Sequence, residues 1–168
     1  MNIKSLKKIQ EKYSNRSFTT REAMELGVSK RMLSYLVQGG HIERVARGVY
    51  IISTHVSGED FQFEDLAYNA KSYKNAVICL LSALSYWDLT DEIPRQFWLA
   101  IPNNQPLPKT RNNIKFYRPR NLKMGIIEKS IAGEKVRITS PERTIVDCFK
   151  YFDEETSIKS LDLFLSEK

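Results

Sequence analysis

An α+β fold in two parts is predicted for this 168-residue chain. Three observations carry the prediction. Helical periodicity over the first forty residues gives way to a short β-branched segment around Arg47–Gly48. Beyond residue 58, strand-like runs alternate with stretches of helical pattern. Charge divides the chain at the same place: residues 1–57 hold ten Lys/Arg against four Asp/Glu, whereas 58–168 hold sixteen of each.

In the first part, Ile3, Leu6, Ile9 and Tyr13 recur at three- and four-residue steps and predict an amphipathic helix, broken by "SNRS". "FTTREAMELG" follows, with Thr19 and Glu22 in capping-box spacing and Ala23, Met24 and Leu26 on the apolar side. Gly27 ends this short helix, and Ser29 caps the next, which runs to Gly39–Gly40. On that helix Met32, Leu33, Leu36 and Val37 share one arc of about 140°, and Lys30, Arg31, Ser34, Tyr35 and Gln38 share the other. "HIERVARGVYIIS" then predicts a β-hairpin turning at Arg47–Gly48. Three helices followed by a basic hairpin describe a winged helix-turn-helix, placed at residues 1–55.

"STHVSGED" reads as a linker to a second domain at 58–168, a mixed α/β domain with a small, mostly antiparallel sheet. "EDFQFEDLAYNAKSY" is helical with an acidic start. "AVICLLSALSYW" is apolar nearly all round and predicts a buried helix that begins as a strand. "QFWLAIP" and "IKFYRPR" are strands, separated by the loop "NNQPLPKTRNN". "GIIEKSIAG" and "KVRITS" form a hairpin around Ala132–Gly133–Glu134. Ser140 caps a helix with Pro141 in its first turn, and Ile145, Val146, Phe149 and Phe152 are expected on its buried side. A last helix covers "TSIKSLDLFLSEK".

Several functional classes find no support. No run of apolar residues is long enough to span a membrane, and the charged N-terminus lacks the apolar core of a signal peptide. Cys79 and Cys148 are isolated in apolar runs and read as buried reduced thiols of a cytoplasmic protein. His41 and His55 have no ligand cluster around them, so neither a metal nor a cofactor is expected. Glu59, Asp60, Glu64 and Asp65 cluster only where a helix starts, and no nuclease pattern of carboxylates and lysine accompanies them. The paired aspartates of a nucleotidyltransferase, a phosphate-cradling glycine loop and a nucleophile–base set are likewise missing from the sequence. A non-enzymatic protein is expected.

The polar face of the second helix-turn-helix helix is the clearest functional signal. An exposed helix face ordinarily mixes in glutamates, yet none occurs between Glu25 and Glu43. Lys30 and Arg31 sit in the turn that leads into a major groove, where Arg31 matches a guanine edge. Ser34, Tyr35 and Gln38 follow one or two turns later; Thr20 and Ser29 stand at helix starts suited to phosphate; Arg44 and Arg47 belong to the wing. A second basic surface is formed by Arg95, Lys109, Arg111, Lys115, Arg118, Arg120 and Lys123, interleaved with Phe116 and Tyr117. That stripe reads equally as a solvated face. Arg143 and Asp147, four apart on one helix, read as an ion pair.

"FTTREAMELGVSKRMLSYLVQGGHIERVARGVYII" resembles the winged helix of AbiEi-type antitoxins, the regulators of type IV abortive-infection toxin–antitoxin pairs used in phage defence. The matching points are Gly-Val-Ser before the recognition helix, the double glycine after it, and Arg-Gly-Val-Tyr in the wing. "LLSALSYWDLTDEIP", "FWLAIP" and "VRITSPERTIVDCFKY" resemble the C-terminal antitoxin domain of that family in order and spacing. The resemblance implies a repressor of its own operon at inverted repeats, with two copies on double-stranded DNA. It further implies antagonism of a nucleotidyltransferase toxin without a stable complex. Chains of that kind continue with further C-terminal helices, so a shortened second domain is expected here, where the sequence stops at Lys168. Two alternatives stand beside this reading: a ligand-sensing winged-helix repressor unrelated to a toxin, and a DNA-processing enzyme with a winged-helix reader.

Overall fold

The computed structural model describes residues 3–55, 60–108 and 113–166. The chain divides into two compact units, one formed by Met1–Ser72 with Ser130–Lys135, the other by Tyr73–Lys129 with Val136–Lys168. The α+β class holds. The division between the units falls after Ser72, beyond the linker read from the sequence, because the helix that follows the wing packs with it.

In the first unit, α1 (Ile3–Tyr13), α2 (Thr20–Glu25) and α3 (Lys30–Gln38) pack with β2 (Ile42–Ala46) and β3 (Val49–Ile52). The sequence reading missed β1 (Phe18–Thr19), which pairs antiparallel with β3 and completes a three-stranded sheet in the order β1-β3-β2. Two residues are too few to show strand alternation. The core joins Ile9, Tyr13, Phe18, Ala23, Val28, Leu33, Leu36, Ile42 and Ile52. Phe18 stacks between Tyr13 and Tyr50, with ring centroids at 5.2 and 5.7 Å. A 3₁₀ turn (Phe61–Phe63) leads into α4 (Glu64–Ser72), which packs on β2 and β3. Met24, assigned to the apolar side of α2, is exposed.

A buried polar knot fixes the start of the helix-turn-helix. The Lys71 ammonium on α4 donates to the Ser17 carbonyl at 2.7 Å, to its hydroxyl at 3.0 Å and to Glu134 Oε2 at 2.7 Å. The Ser17 amide in turn donates to Glu134 Oε1. Glu134 is 2% exposed, so these partners replace the water that a carboxylate would otherwise need.

The second unit contains β4 (Val77–Ile78), α5 (Leu80–Tyr86), β5 (Phe97–Ala100), β6 (Ile114–Tyr117), α6 (Pro141–Tyr151) and α7 (Glu154–Ser166), with most of β7 (Ile126–Ile131) and β8 (Glu134–Thr139). The sheet order is β6-β5-β4-β8-β7. Its pairing is mixed where mostly antiparallel strands were expected: β4–β5 is antiparallel, but β4–β8 and β5–β6 are parallel. Those parallel pairs join strands far apart in sequence or separated by a long loop, a register that hairpin signals do not encode. The β7–β8 hairpin forms as read, turning through Ala132 and Gly133, both with positive φ.

Ser140 caps α6 and Pro141 enters its first turn, as the sequence indicates. Its buried side is different from the one predicted. Ile145 and Cys148 are buried, together with Thr144 and Asp147, whereas Val146 is 66% and Phe149 47% exposed. The inward arc is anchored by polar contacts to other segments: Thr144 Oγ1 lies 2.7 Å from Thr139 Oγ1, and Arg143, paired with Asp147 at 2.8 Å, donates to the Met124 and Asn121 carbonyls. Val146 lies about 100° round the helix from Ile145, and Phe149 about 100° from Cys148, and both are exposed. Cys79 and Cys148 are free, buried members of one core, and burial pushes the Cys148 thiol up to about 12.

Candidate nucleic-acid interface

Local sequence builds the interface from its helix starts. Thr19 accepts a hydrogen bond from the Glu22 amide at 3.2 Å, and the Thr19 amide donates to Glu22 Oε2 at 2.7 Å, closing the capping box. Arg16 pairs with the other carboxylate oxygen at 3.0 Å. Burial works to raise the Glu22 pKa, but the Thr19 amide, Lys71, Arg16 and the Thr19 hydroxyl outweigh it and hold the carboxyl below its ordinary value.

Ser29 caps α3 by accepting from the Met32 amide at 3.2 Å. Leu33 and Leu36 are buried, and Met32 and Val37 pack half-buried against the same core. Ser29, Lys30, Arg31, Ser34, Tyr35 and Gln38 are all exposed. The Tyr35 ring, 52% exposed, offers an amphipathic edge without an apolar core to fill. Ser34 donates to the Lys30 carbonyl at 3.2 Å, which tucks its hydroxyl back onto the helix.

The hairpin carries Arg44 and Arg47, both exposed. Between Arg44 and Ala46 the β2–β3 register shifts, and Arg44 Nε donates to the Ala46 carbonyl at 3.4 Å. Such an irregularity re-aims side chains at the end of a ribbon. Gly48 closes the turn with φ of 70°, and a Cβ there would meet Thr20 Oγ1 at 3.1 Å. The Thr20 amide donates to the Gly48 carbonyl at 2.8 Å, its hydroxyl at 3.4 Å. The start of α2 and the tip of the wing are therefore tied together. Thr20 itself is half-buried and holds the wing.

Residues 12–53 match the family model of the AbiEi antitoxins, described as transcriptional regulators. The match runs from the end of α1 through β3 and takes in both the recognition helix and the wing, about a quarter of the chain. The resemblance read from Gly-Val-Ser, the double glycine and Arg-Gly-Val-Tyr holds over that stretch. No curated protein matches the chain.

Outside the AbiEi-like module lie the residues of the second basic stripe. Lys109 and Arg111 fall outside the described residues. Arg95 is exposed ahead of β5. Lys115 on β6 sits over the Trp98 ring, 4.5 Å from its centroid. Arg118 donates to the Gln105 carbonyl at 3.5 Å. Arg120 and Lys123 line a cleft with Arg137 of β8, a residue the sequence reading left out because one arginine in an alternating strand carries no signal. Arg143 and Asp147 form the expected ion pair, and Arg143 also donates to the Met124 and Asn121 carbonyls at 3.3 and 3.2 Å. Among the described residues no group of three or more His, Cys, Asp or Glu is placed to hold a metal, and no helix is long and apolar enough to cross a membrane.

Proposed function

We propose that this protein is a cytoplasmic, non-enzymatic, DNA-binding autorepressor and the antitoxin of a type IV pair. It reads inverted-repeat operators as two copies and counters a nucleotidyltransferase toxin without forming a stable complex with it. The observation that carries the DNA-binding half is the exposed face of α3, which holds Lys30, Arg31, Ser34, Tyr35 and Gln38 and no acid, beside a wing bearing Arg44 and Arg47. The match of residues 12–53 to a family of antitoxin transcriptional regulators supports the regulator and antitoxin roles.

In this reading α3 enters the major groove with its first turn leading. Arg31 presents two parallel N–H groups to guanine O6 and N7, and Lys30 meets phosphate or a second base. Ser29 lies where the free amides of the helix start favour a phosphate oxygen. Arg44 and Arg47 follow the backbone beside the groove and supply charge that is not sequence-selective.

The test is affinity for the chain's own promoter as a function of salt. Log affinity should fall linearly with log salt concentration. Arg31→Ala should cost about 1–3 kcal/mol and relax selectivity at one base position. Arg47→Ala should weaken binding to all sequences and make the salt slope shallower by about one. A flat salt dependence, or unchanged promoter affinity in both variants, would falsify the proposal.

A further inference from the structure

We propose that the second unit carries a binding site for a small phosphate-bearing molecule of mononucleotide size. The site is a cleft of about 550 Å³ at one end of the five-stranded sheet. That volume lies within the range of about 300–1,000 Å³ typical of small-ligand sites. Topology explains why the cleft is there. β5 and β6 are parallel and both end at it, passing into Pro102–Asn104 and Pro119–Lys123. β4 runs the other way and starts at it, immediately after Asn75. β8, parallel to β4, contributes Arg137.

The lining is cationic and amide-rich. Arg120, Lys123 and Arg137 supply three positive charges, and no acidic residue is among the described residues that line the cleft. Asn75, Asn103, Asn104 and Asn121 add side chains able both to donate and to accept. Cations that converge on a concave site recognise phosphate oxygens, and amides read a sugar or a base edge.

The walls are held before any ligand arrives. Arg118 and the Gln105 amide, which donates to the Pro102 carbonyl at 2.9 Å, fix the loop after β5. The Lys123 amide donates to Asn121 Oδ1 at 2.9 Å. Arg143, braced by Asp147, grips the carbonyls of Asn121 and Met124 on either side of Lys123. Gly125 lets it approach: a Cβ at that position would lie 2.7 Å from Arg143 Cβ. The Arg143–Asp147 pair is thus a positioning device for the cleft wall. Arg137 donates at 3.5 Å to the carbonyl of Ala76, the residue after Asn75.

Calorimetric titration of the full chain tests this, with inorganic phosphate, the four ribonucleoside monophosphates, their triphosphates and the unphosphorylated nucleosides as probes. Saturable binding of at least one nucleotide is expected, with competition by inorganic phosphate and no binding of its nucleoside. Lys123→Gln, on an exposed loop, should weaken that binding about tenfold, and Lys123→Gln with Arg137→Gln further. Circular dichroism would establish that the variants keep the fold; if the double variant does not, the single Lys123→Gln decides. Promoter affinity through α3 should be unchanged. The proposal is overturned if no probe binds saturably, if nucleoside and nucleotide bind alike, or if Lys123→Gln leaves the affinity untouched.

Discussion

Replacing Glu134 by glutamine removes the charge of the buried knot and one of its two acceptor oxygens, turning an amide NH2 toward the Lys71 ammonium. The amide keeps an oxygen that can accept from the Ser17 amide, so the backbone before β1 stays satisfied. What is lost is the charge facing Lys71, whose ammonium lies 2.7 Å from Oε2 and whose side chain is only 14% exposed. Removing one partner of a buried pair costs about 3–5 kcal/mol, because the other is left uncompensated. Lys71 retains the carbonyl and hydroxyl of Ser17, so Glu134→Gln belongs at the lower end, about 3 kcal/mol. Far-UV circular dichroism in urea follows both units, whereas tryptophan fluorescence follows the second alone, since Trp87 and Trp98 both lie there. The first unit's transition should shift to lower urea. Adding Lys71→Met should recover about 2 kcal/mol, because an apolar replacement no longer strands a charge. A loss below about 1 kcal/mol in the single variant, or no recovery in the double, would refute the view that the pair pins the helix-turn-helix.

Two further outcomes follow from the same contacts. Glu22 has a depressed pKa in the folded chain, so its contribution is full above its ordinary value of 4.5 and is lost as pH falls through the lower folded value; the first unit should weaken in that window, and Glu22→Gln should flatten the loss measured by urea titration at successive pH values. On α6, Val146→Ser should change stability by no more than about 0.5 kcal/mol, whereas Ile145→Ala should cost about 2–5 kcal/mol, and equal effects in thermal melts would contradict the observed orientation of the helix.

The features legible in the sequence are those that local chemistry specifies. Thr19 and Glu22 are three residues apart, and their mutual caps need nothing from the rest of the chain. The two faces of α3 follow from a fixed angular step, and its buried and exposed residues fall where the step puts them. The turn at Ala132–Gly133 is likewise set by neighbours. The features that escaped are the non-local ones. Lys71 and Glu134 are 63 residues apart, and neither position carries a local sign of the other. Val146 and Phe149 look like core because they are apolar; Thr144 instead meets Thr139, and Asp147 braces an Arg143 that is held by the Asn121 and Met124 carbonyls. The cleft shows the same limit, since Asn75, Arg120 and Arg137 meet only through strand order.

This division bears on how the recognition surface can be exposed at all. A nine-residue helix with one polar, cationic face has little stability of its own and depends on the packing of the other face. Here that dependence is met below the helix and never on its outer side: by Leu33 and Leu36 in the core, by the Ser29 cap, and by the Thr20–Gly48 tie that fixes the wing beside it. The buried charges of Lys71 and Glu134 are spent at Ser17, on the approach to α2, and hold the backbone where that helix starts. Lys30, Arg31 and Gln38 are in consequence exposed without holding the fold together. On the proposed function, substituting them should change DNA affinity and leave urea stability alone, while Glu134→Gln should lower stability first.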